Sequence, residues 1–183
     1  MNQMNRKNKM NDIIKAMEER RSIRKFKPEV PSKSDIGQII EAGLYAASAM
    51  GKQSPIIVAV TNKELRDRLS ADNCKIGGWE GFDPFYGAPV ILIVLAEKNW
   101  PIRVYDGSLV LGNMMLAAHS LGLGSIWIHR AKEEFEMPEY RKLLKDLGIE
   151  GEWEGIGHCA VGFMDCDLPT PPERKAGRVF WAE

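Results

Sequence analysis

The sequence predicts one globular domain in which helices pack around a mixed α/β sheet. Four short segments rich in apolar and β-branched residues alternate along the chain with segments of helical periodicity. The length of 183 residues suits a single domain, since domains usually have about 100–200 residues. Apolar residues make up 44% of the chain and charged residues 27%, which excludes a disordered or collagenous protein.

Two helices are predicted in the first quarter of the chain. Residues 12–21 have helical spacing of their apolar positions, and Asp12 is the expected N-cap. Ser32 and Asp35, three residues apart, resemble a capping box, and one apolar face follows from residue 36 to residue 47.

The next segments predict two strands around a helix and a loop. Residues 56–61 and 90–96 are short apolar runs, typical of buried strands. Residues 63–71 form a short charged helix in this prediction. Residues 72–88 are rich in glycine and aromatic residues, and we interpret them as an irregular loop or small lid.

The longest helix is predicted between Asp106 as its cap and Gly122 as its end. Its apolar residues cover almost the whole circumference, which indicates a helix buried on all sides. In a domain of this size, such a helix is expected at the centre, and a partner subunit can share it.

The last elements are two strands over residues 125–129 and 156–163, with an amphipathic helix over residues 138–147 between them. Residues 1–11 are expected to form a flexible tail. Residues 167–183 contain three prolines and are expected to form an extended arm of the single domain that begins at residue 12.

Charge and cysteine content restrict the possible partners and the compartment. Lysine plus arginine and aspartate plus glutamate number 25 each, so the zero net charge argues against nucleic-acid and membrane-surface binding. The longest apolar run is much shorter than the ~20 residues that cross a bilayer. Three cysteines without a CxxC pair favour a reducing compartment, which predicts a cytoplasmic protein with thiols that are not catalytic.

Most standard catalytic and metal-binding motifs are absent from the sequence. His119, His129 and His158 are widely spaced without HExxH or CxxC, so no metal site is predicted. His158 lies in an apolar strand and is interpreted as a hydrogen-bonded core histidine. GxSxG, Walker A and a GxGxxG after a strand are also missing.

Two basic clusters could bind a phosphate. Residues 20–27 have the sequence RRSIRKFK, and Arg174, Lys175 and Arg178 form a second group near the end of the chain. Arginine forks with a serine hydroxyl and lysine match the many acceptor oxygens of a phosphate monoester. The alternative is a solvated basic face, or cations that balance a helix dipole.

The segment Ala46–Pro55 is a second candidate binding element. It has the sequence AASAMGKQSP, in which a helix ends among small residues and a polar loop leads into a strand. Small residues allow a planar ligand to approach the backbone, and the Gln53 amide could contact a heterocycle. An ordinary helix-to-strand turn is the alternative.

Five motifs in this order resemble the nitroreductase family of FMN-dependent oxidoreductases over nearly the whole chain. They are ERRSIRKF at residues 19–26, ASAMGKQSP at residues 47–55, GAP at residues 87–89, LGLGSIWI at residues 121–128 and PERK at residues 172–175. Gly51 departs from the asparagine of many members, so one contact to the cofactor is expected to be missing.

The resemblance implies an α+β fold of three layers, with a central mixed β-sheet flanked by helices, in an obligate homodimer that binds two FMN at its interface. It assigns the phosphate to Arg20, Arg24, Arg174 and Lys175, and the flavin or ribityl chain to Arg21 and Ser22. It places Ala47, Ser48, Met50 and Gln53 of the other subunit at the site, with Trp127, Ile128 and His129 along the flavin's inner face.

The implied activity is transfer of electrons from NADH or NADPH through FMN to a small aromatic, quinone or nitro acceptor. No side chain is needed as a nucleophile, and Arg21 or Arg24 is the candidate donor at the N1–C2 edge of the flavin. Two alternatives remain open: an FMN-binding storage or sensing protein without turnover, and a related flavin chemistry on the same scaffold, such as reductive dehalogenation or flavin fragmentation.

Overall fold

The structure is a computed structural model that describes residues 11–183, so the predicted tail lies outside the described residues except for Asn11. Six helices are present in this range: α1 Asp12–Glu19, α2 Lys33–Leu44, α3 Lys63–Ile76, α4 Arg103–Ser120, α5 Ala131–Glu136 and α6 Pro138–Asp146. The strands are β1 Ile56–Val60, β2 Val90–Glu97, β3 Gly124–Ile128 and β4 Trp153–Gly162, and a short 3₁₀ turn spans Ala49–Gly51.

The four strands form one sheet in the order β1-β2-β4-β3, and every neighbouring pair of these strands is antiparallel. A parallel bridge joins Ser22 to Ser125 at the edge of β3. A mixed sheet was expected, and among residues 11–183 this bridge is the only parallel pairing. The extended backbone of residue 22 lies outside the named strands, so strand periodicity does not reveal it.

Helices cover both faces of the sheet, which confirms the predicted α+β class and its three layers. On one face, α3, α5 and α6 bury Leu69, Phe135 and Tyr140 against the strands. On the other face, α2 and α4 bury Ile39 and Met114. Burial of these side chains removes apolar surface from water and is the main stabilising term of the domain.

Several predicted helix boundaries are corrected by the structure. Asn11, not Asp12, is the N-cap of α1, since its side chain accepts a hydrogen bond from Ile13 N. Ser32 caps α2 as predicted, with Asp35 N donating to its hydroxyl oxygen. The third helix continues to residue 76, beyond the predicted end at residue 71, because its polar Asn73 is buried and donates a hydrogen bond to His129 O.

The long helix α4 begins at Arg103, before the predicted cap Asp106, and Gly122 adopts a left-handed backbone just after it ends. The prediction that it is buried on all sides is wrong for one chain, because Tyr105 is 71% and Leu109 50% exposed. Its apolar circumference therefore includes a face that the described part of this chain does not cover. Helix α5 was not predicted, and its six residues are too few to show a period.

No helix within residues 11–183 is both long enough and apolar enough to span a membrane.

Candidate functional site

The first basic cluster is fixed to the edge of the sheet by two apolar residues, Ile23 and Phe26. Ile23 N donates to Ser125 O over 3.0 Å, and Phe26 forms an isolated bridge with Met164. The side chains of Ile23 and Phe26 are both buried in the core. Anchoring by these two residues holds the arginines between and before them at the surface beside β3.

A cavity of about 1070 Å³ lies against this cluster. Its lining comprises Met17, Glu18, Arg20, Arg21, Ser22, Arg24, Pro169, Thr170, Pro171, Pro172, Glu173 and Arg174. The volume lies just above the ~300–1,000 Å³ typical of ligand and cofactor sites. The lining contains four arginines and two glutamates. The excess of positive charge suits an anionic ligand.

Two arginine nitrogens in the cavity wall are buried donors without a partner among the described residues: Arg20 Nη1 and Arg21 Nε. The Arg21 Nη1 atom donates to the carbonyl oxygens of Glu18 and Arg20. Buried donors are almost always paired in folded proteins, so such orphans indicate an absent acceptor. A phosphate group supplies acceptors of the right charge, and these residues therefore fit it.

The cavity arginines are also free of neutralising carboxylates. Within residues 11–183, no ion pair involves Arg20, Arg21, Arg24 or Arg174. Arg174 Nη2 donates instead to Pro172 O at 3.0 Å, which leaves its charge uncompensated. The partial burial of Arg20 and Arg21 distinguishes them from the solvated basic face considered as the alternative.

The loop at residues 47–53 is closed by a hydrogen bond from Gln53 N to Ser48 Oγ at 3.0 Å. Met50, Gly51 and Gln53 all have left-handed backbones, with φ of 55°, 64° and 48°. For non-glycine residues this region costs about 1–2 kcal/mol each, so the loop differs from the ordinary turn considered as the alternative. Gly51 is the one residue of the three that suits this conformation without strain.

The end of β3 presents residues 127–129 in alternating directions. Trp127 is 37% exposed, and its indole lies so close to Gly157 of β4 that a Cβ there would be 2.4 Å from Trp127 Nε1. Ile128 is buried on the opposite face of the sheet. The His129 carbonyl accepts a hydrogen bond from Asn73 Nδ2 at 2.8 Å. Trp127 and His129 are both exposed, and the flat indole of Trp127 lies on the α4 face of the sheet.

The structure brings only some of the predicted site residues together. Arg20, Arg21, Ser22, Arg24 and Arg174 line the cavity, although the two clusters are far apart in the chain. The cavity wall does not include Lys175, Trp127, Ile128 or His129, nor Ala47, Ser48, Met50 and Gln53 of the loop. Within one chain, the 47–53 loop therefore does not contribute to the arginine cavity.

Sequence reasoning missed the residues that support the arginine cavity and the 47–53 loop. Pro169, Thr170 and Pro171 line the cavity together with the first arginine cluster, and only the run of prolines indicated an extended backbone there. Asp106, predicted as a helix cap, accepts hydrogen bonds from the loop and from Trp100 instead. No local pattern in the sequence indicates that contact.

The prediction of a core histidine is confirmed at His158. Its ring is fully buried, with Nε2 2.6 Å from Glu134 Oε2 and Nδ1 3.3 Å from Ile128 O. The Phe85 ring lies edge-on to it at 5.3 Å. Across residues 11–183, no group of three or more His, Cys, Asp or Glu side chains is arranged to hold a metal ion.

Comparison with known proteins agrees with this architecture. The model of the Nitroreductase family matches residues 17–75 and 79–163. The FMN reductase [NAD(P)H] of Bacillus subtilis is 28% identical over 169 residues, covering 76% of this chain and 66% of that protein. The iodotyrosine deiodinase of Thermotoga neapolitana is 24% identical over 85% of this chain and 90% of its own.

Among solved structures, a nitroreductase of Bacteroides fragilis with bound FMN superimposes with a TM-score of 0.84 at 29% identity, covering 95% of this chain and 100% of that one. The chain spans just under two thirds of the B. subtilis relative, so this match does not assign that protein's whole activity to the chain. The family model nevertheless matches most of the chain, including the first arginine cluster of the cavity; the chain belongs to the nitroreductase family.

Proposed function

We propose that this protein is an FMN-dependent oxidoreductase that takes electrons from NADH or NADPH and reduces a small aromatic, quinone or nitro acceptor. The observation that carries the proposal is the cavity lined by both Arg174 and Arg20, whose Nη1 is a buried donor without a partner among the described residues. The FMN in the B. fragilis structure and the name of the B. subtilis relative support the same cofactor.

When bound, FMN supplies the hydride and electron transfer between nicotinamide and acceptor. The chain's own residues bind and orient it. Arg20, Arg24 and Arg174, which all line the cavity, would hold the phosphate. Arg21 Nε is the unpaired donor next to Ser22, and we assign it to the flavin or ribityl edge, where a cation favours negative charge.

We further propose that the protein is a homodimer and that the site is completed by the partner subunit. No residue of the 47–53 loop lines the arginine cavity of its own chain, so we assign the loop at each site to the partner subunit. The exposed apolar face of α4, with Tyr105 and Leu109, offers a surface for that contact. Apolar patches of this kind mark interaction sites in folded proteins.

Anaerobic titration of the purified protein with NADH and with NADPH tests the proposal. We expect a yellow protein with one FMN per subunit, whose flavin absorption bleaches stoichiometrically with at least one nicotinamide. Oxidation by a quinone or a nitroaromatic compound should restore the absorption. A colourless protein that cannot be reconstituted with FMN would contradict the proposed cofactor, and bound FMN that no nicotinamide reduces would favour a binding protein without turnover.

A second candidate activity is reductive dehalogenation, which the T. neapolitana relative's name favours. The same titration separates the two, because 3-iodotyrosine can replace the quinone as the oxidant of the reduced protein. Release of iodide with recovery of the flavin absorption would assign dehalogenation. Recovery with quinones and nitroaromatics alone would assign the first activity.

The state of the three cysteines is evidence on the cellular compartment of the protein. Cys74 and Cys159 are buried and Cys166 is exposed, and all three are free thiols. Free thiols persist in a reducing environment, so we propose a cytoplasmic location.

A further inference from the structure

We infer that Asp106 is a positioning residue that holds the 47–53 loop in the shape with which it meets the flavin; this rests on the proposed function. Asp106 is 3% exposed. Its Oδ1 accepts a hydrogen bond from Ala49 N at 3.0 Å, and its Oδ2 accepts one from Trp100 Nε1 at 2.8 Å. Both carboxylate oxygens are therefore directed away from the helix that carries them.

A capping role does not explain this residue. Helix α4 begins at Arg103, so Asp106 lies inside its first turn, and its side chain bonds to residues outside the helix. An exposed aspartate would satisfy the helix dipole equally well. A buried carboxylate is unfavourable unless donors surround it, so its burial here indicates that the two outside donors determine its position.

The loop needs such an external anchor. Two of its non-glycine residues, Met50 and Gln53, have left-handed backbones, and such residues persist only where the surroundings hold them. Inside the loop, Gln53 N bonds to Ser48 Oγ. The Asp106 carboxylate adds the bond to Ala49, and the Lys52 ammonium lies 5.8 Å from the Trp100 ring. Asp106 and Trp100 together connect the loop to α4.

Asp106→Asn is the direct test, because the amide oxygen can accept from only one of the two N–H donors while the amide nitrogen faces the other. We expect faster tryptic cleavage after the exposed Lys52 in the flavin-free protein. We also expect affinity for FMN and for riboflavin to fall by the same factor, roughly 3- to 30-fold. Equal losses distinguish loop positioning from phosphate binding, for which only FMN should be affected.

Asp146→Asn is the matched control, since Asp146 is an exposed aspartate paired with Lys142 on α6. It should change neither the cleavage after Lys52 nor either flavin affinity. Trp100→Phe keeps an aromatic ring but removes the indole N–H that donates to Oδ2, and it should shift both measurements in the same direction as Asp106→Asn. This second variant decides the question if Asp106→Asn does not fold.

Unchanged cleavage after Lys52 in the folded variants would overturn the inference that Asp106 holds the loop. Faster cleavage with unchanged affinity for both flavins would overturn its link to the flavin. If the wild-type protein binds no flavin at all, the proposed function itself fails and the flavin link fails with it, whereas the cleavage result still reports on the loop.

Discussion

At the residue scale, the assignment of Arg20 to the phosphate can be tested by removing its guanidinium. Hydrogen bonds to charged groups contribute about 1.5–3 kcal/mol, so Arg20→Ala should weaken FMN binding roughly 10- to 100-fold. Riboflavin, which lacks the phosphate, should lose much less. Affinities for the two ligands, measured by quenching of flavin fluorescence, provide the comparison.

Lys27→Ala is a suitable control for Arg20→Ala, because Lys27 belongs to the same basic run but does not line the cavity. Its effect on FMN should be small. Equal weakening of FMN and riboflavin in Arg20→Ala would remove Arg20 from the phosphate site.

Cys159 gives a second prediction at this scale. Burial raises the pKa of its thiol to about 12, although the nearby Arg20 charge opposes that shift. Because the thiolate is the reactive form, Cys159 should resist alkylation in the native protein at pH 8, whereas the exposed Cys166 should be labelled. Mass spectrometry after iodoacetamide treatment measures both.

Neither thiol is expected to take part in turnover. Cys159→Ala and Cys166→Ser should each leave reduction of bound FMN by nicotinamide largely intact. Loss of that reduction in either variant, with FMN still bound, would reveal a redox thiol.

At the element scale, the Asp83 carboxylate joins α3 to the aromatic-rich segment that follows it, residues 77–88. It accepts hydrogen bonds from Arg66, from Ser70 Oγ at 2.6 Å and from the backbone of Phe85 and Gly87. Burial acts to raise the pKa of Asp83, but the hydrogen bonds from Ser70, Arg66 and Gly87 outweigh it and hold the pKa below its usual range. The segment is thus an ordered connection of the fold, although its composition is that of an irregular loop.

Asp83→Asn should lower the free energy of unfolding by about 1–3 kcal/mol at pH 7, because a charged acceptor of several bonds is lost. Since the folded-state pKa is depressed, the wild-type contribution is complete above about pH 4 and is lost as the pH falls through the folded value. The difference between variant and wild type should therefore shrink with acidification. Urea unfolding from pH 7 to pH 3 measures it.

Asp146→Asn serves as the control for Asp83→Asn, since an exposed i,i+4 pair contributes little to stability. A difference between Asp83→Asn and wild type that stays constant down to pH 3 would contradict the assigned role of the charge.

At the scale of the whole molecule, assembly decides whether the site is complete. Leu109 on α4 is 50% exposed and Leu147 after α6 is 54% exposed, so the two provide a matched pair of apolar surface positions. Leu109→Glu should give a monomer in sedimentation at micromolar concentration and should release FMN, because the partner's loop is lost. Leu147→Glu should remain a dimer with bound FMN.

The wild-type dimer should bury well above the ~2,000 Å² typical of obligate pairs. A wild-type monomer that binds FMN tightly would refute the two-chain site. A dimer that survives Leu109→Glu would place the interface elsewhere on the molecule.

Much of the fold could be predicted from the sequence alone, because it depends on the chemistry of residues that are close together in the chain. The Ser32–Asp35 cap, the left-handed Gly122, the partly buried edge strand β1 and the buried strands β2 and β4 follow from spacing, capping and apolar runs of a few residues. The candidate site could be predicted in part for the same reason, because a dense run of arginine and serine indicates an anion whatever the surrounding fold.

Only the tertiary structure decided which distant residues meet. The bonds from Ala49 and Trp100 to Asp106 and the exposure of one face of α4 depend on the path of the chain. The shared cavity of Arg20 and Arg174 depends on it too, and before the structure only the family resemblance implied that these two residues meet. Such contacts arise from the packing of both helix layers on the sheet. Hydrophobic periodicity predicts whether a residue is buried, but it does not identify the residues that pack against it.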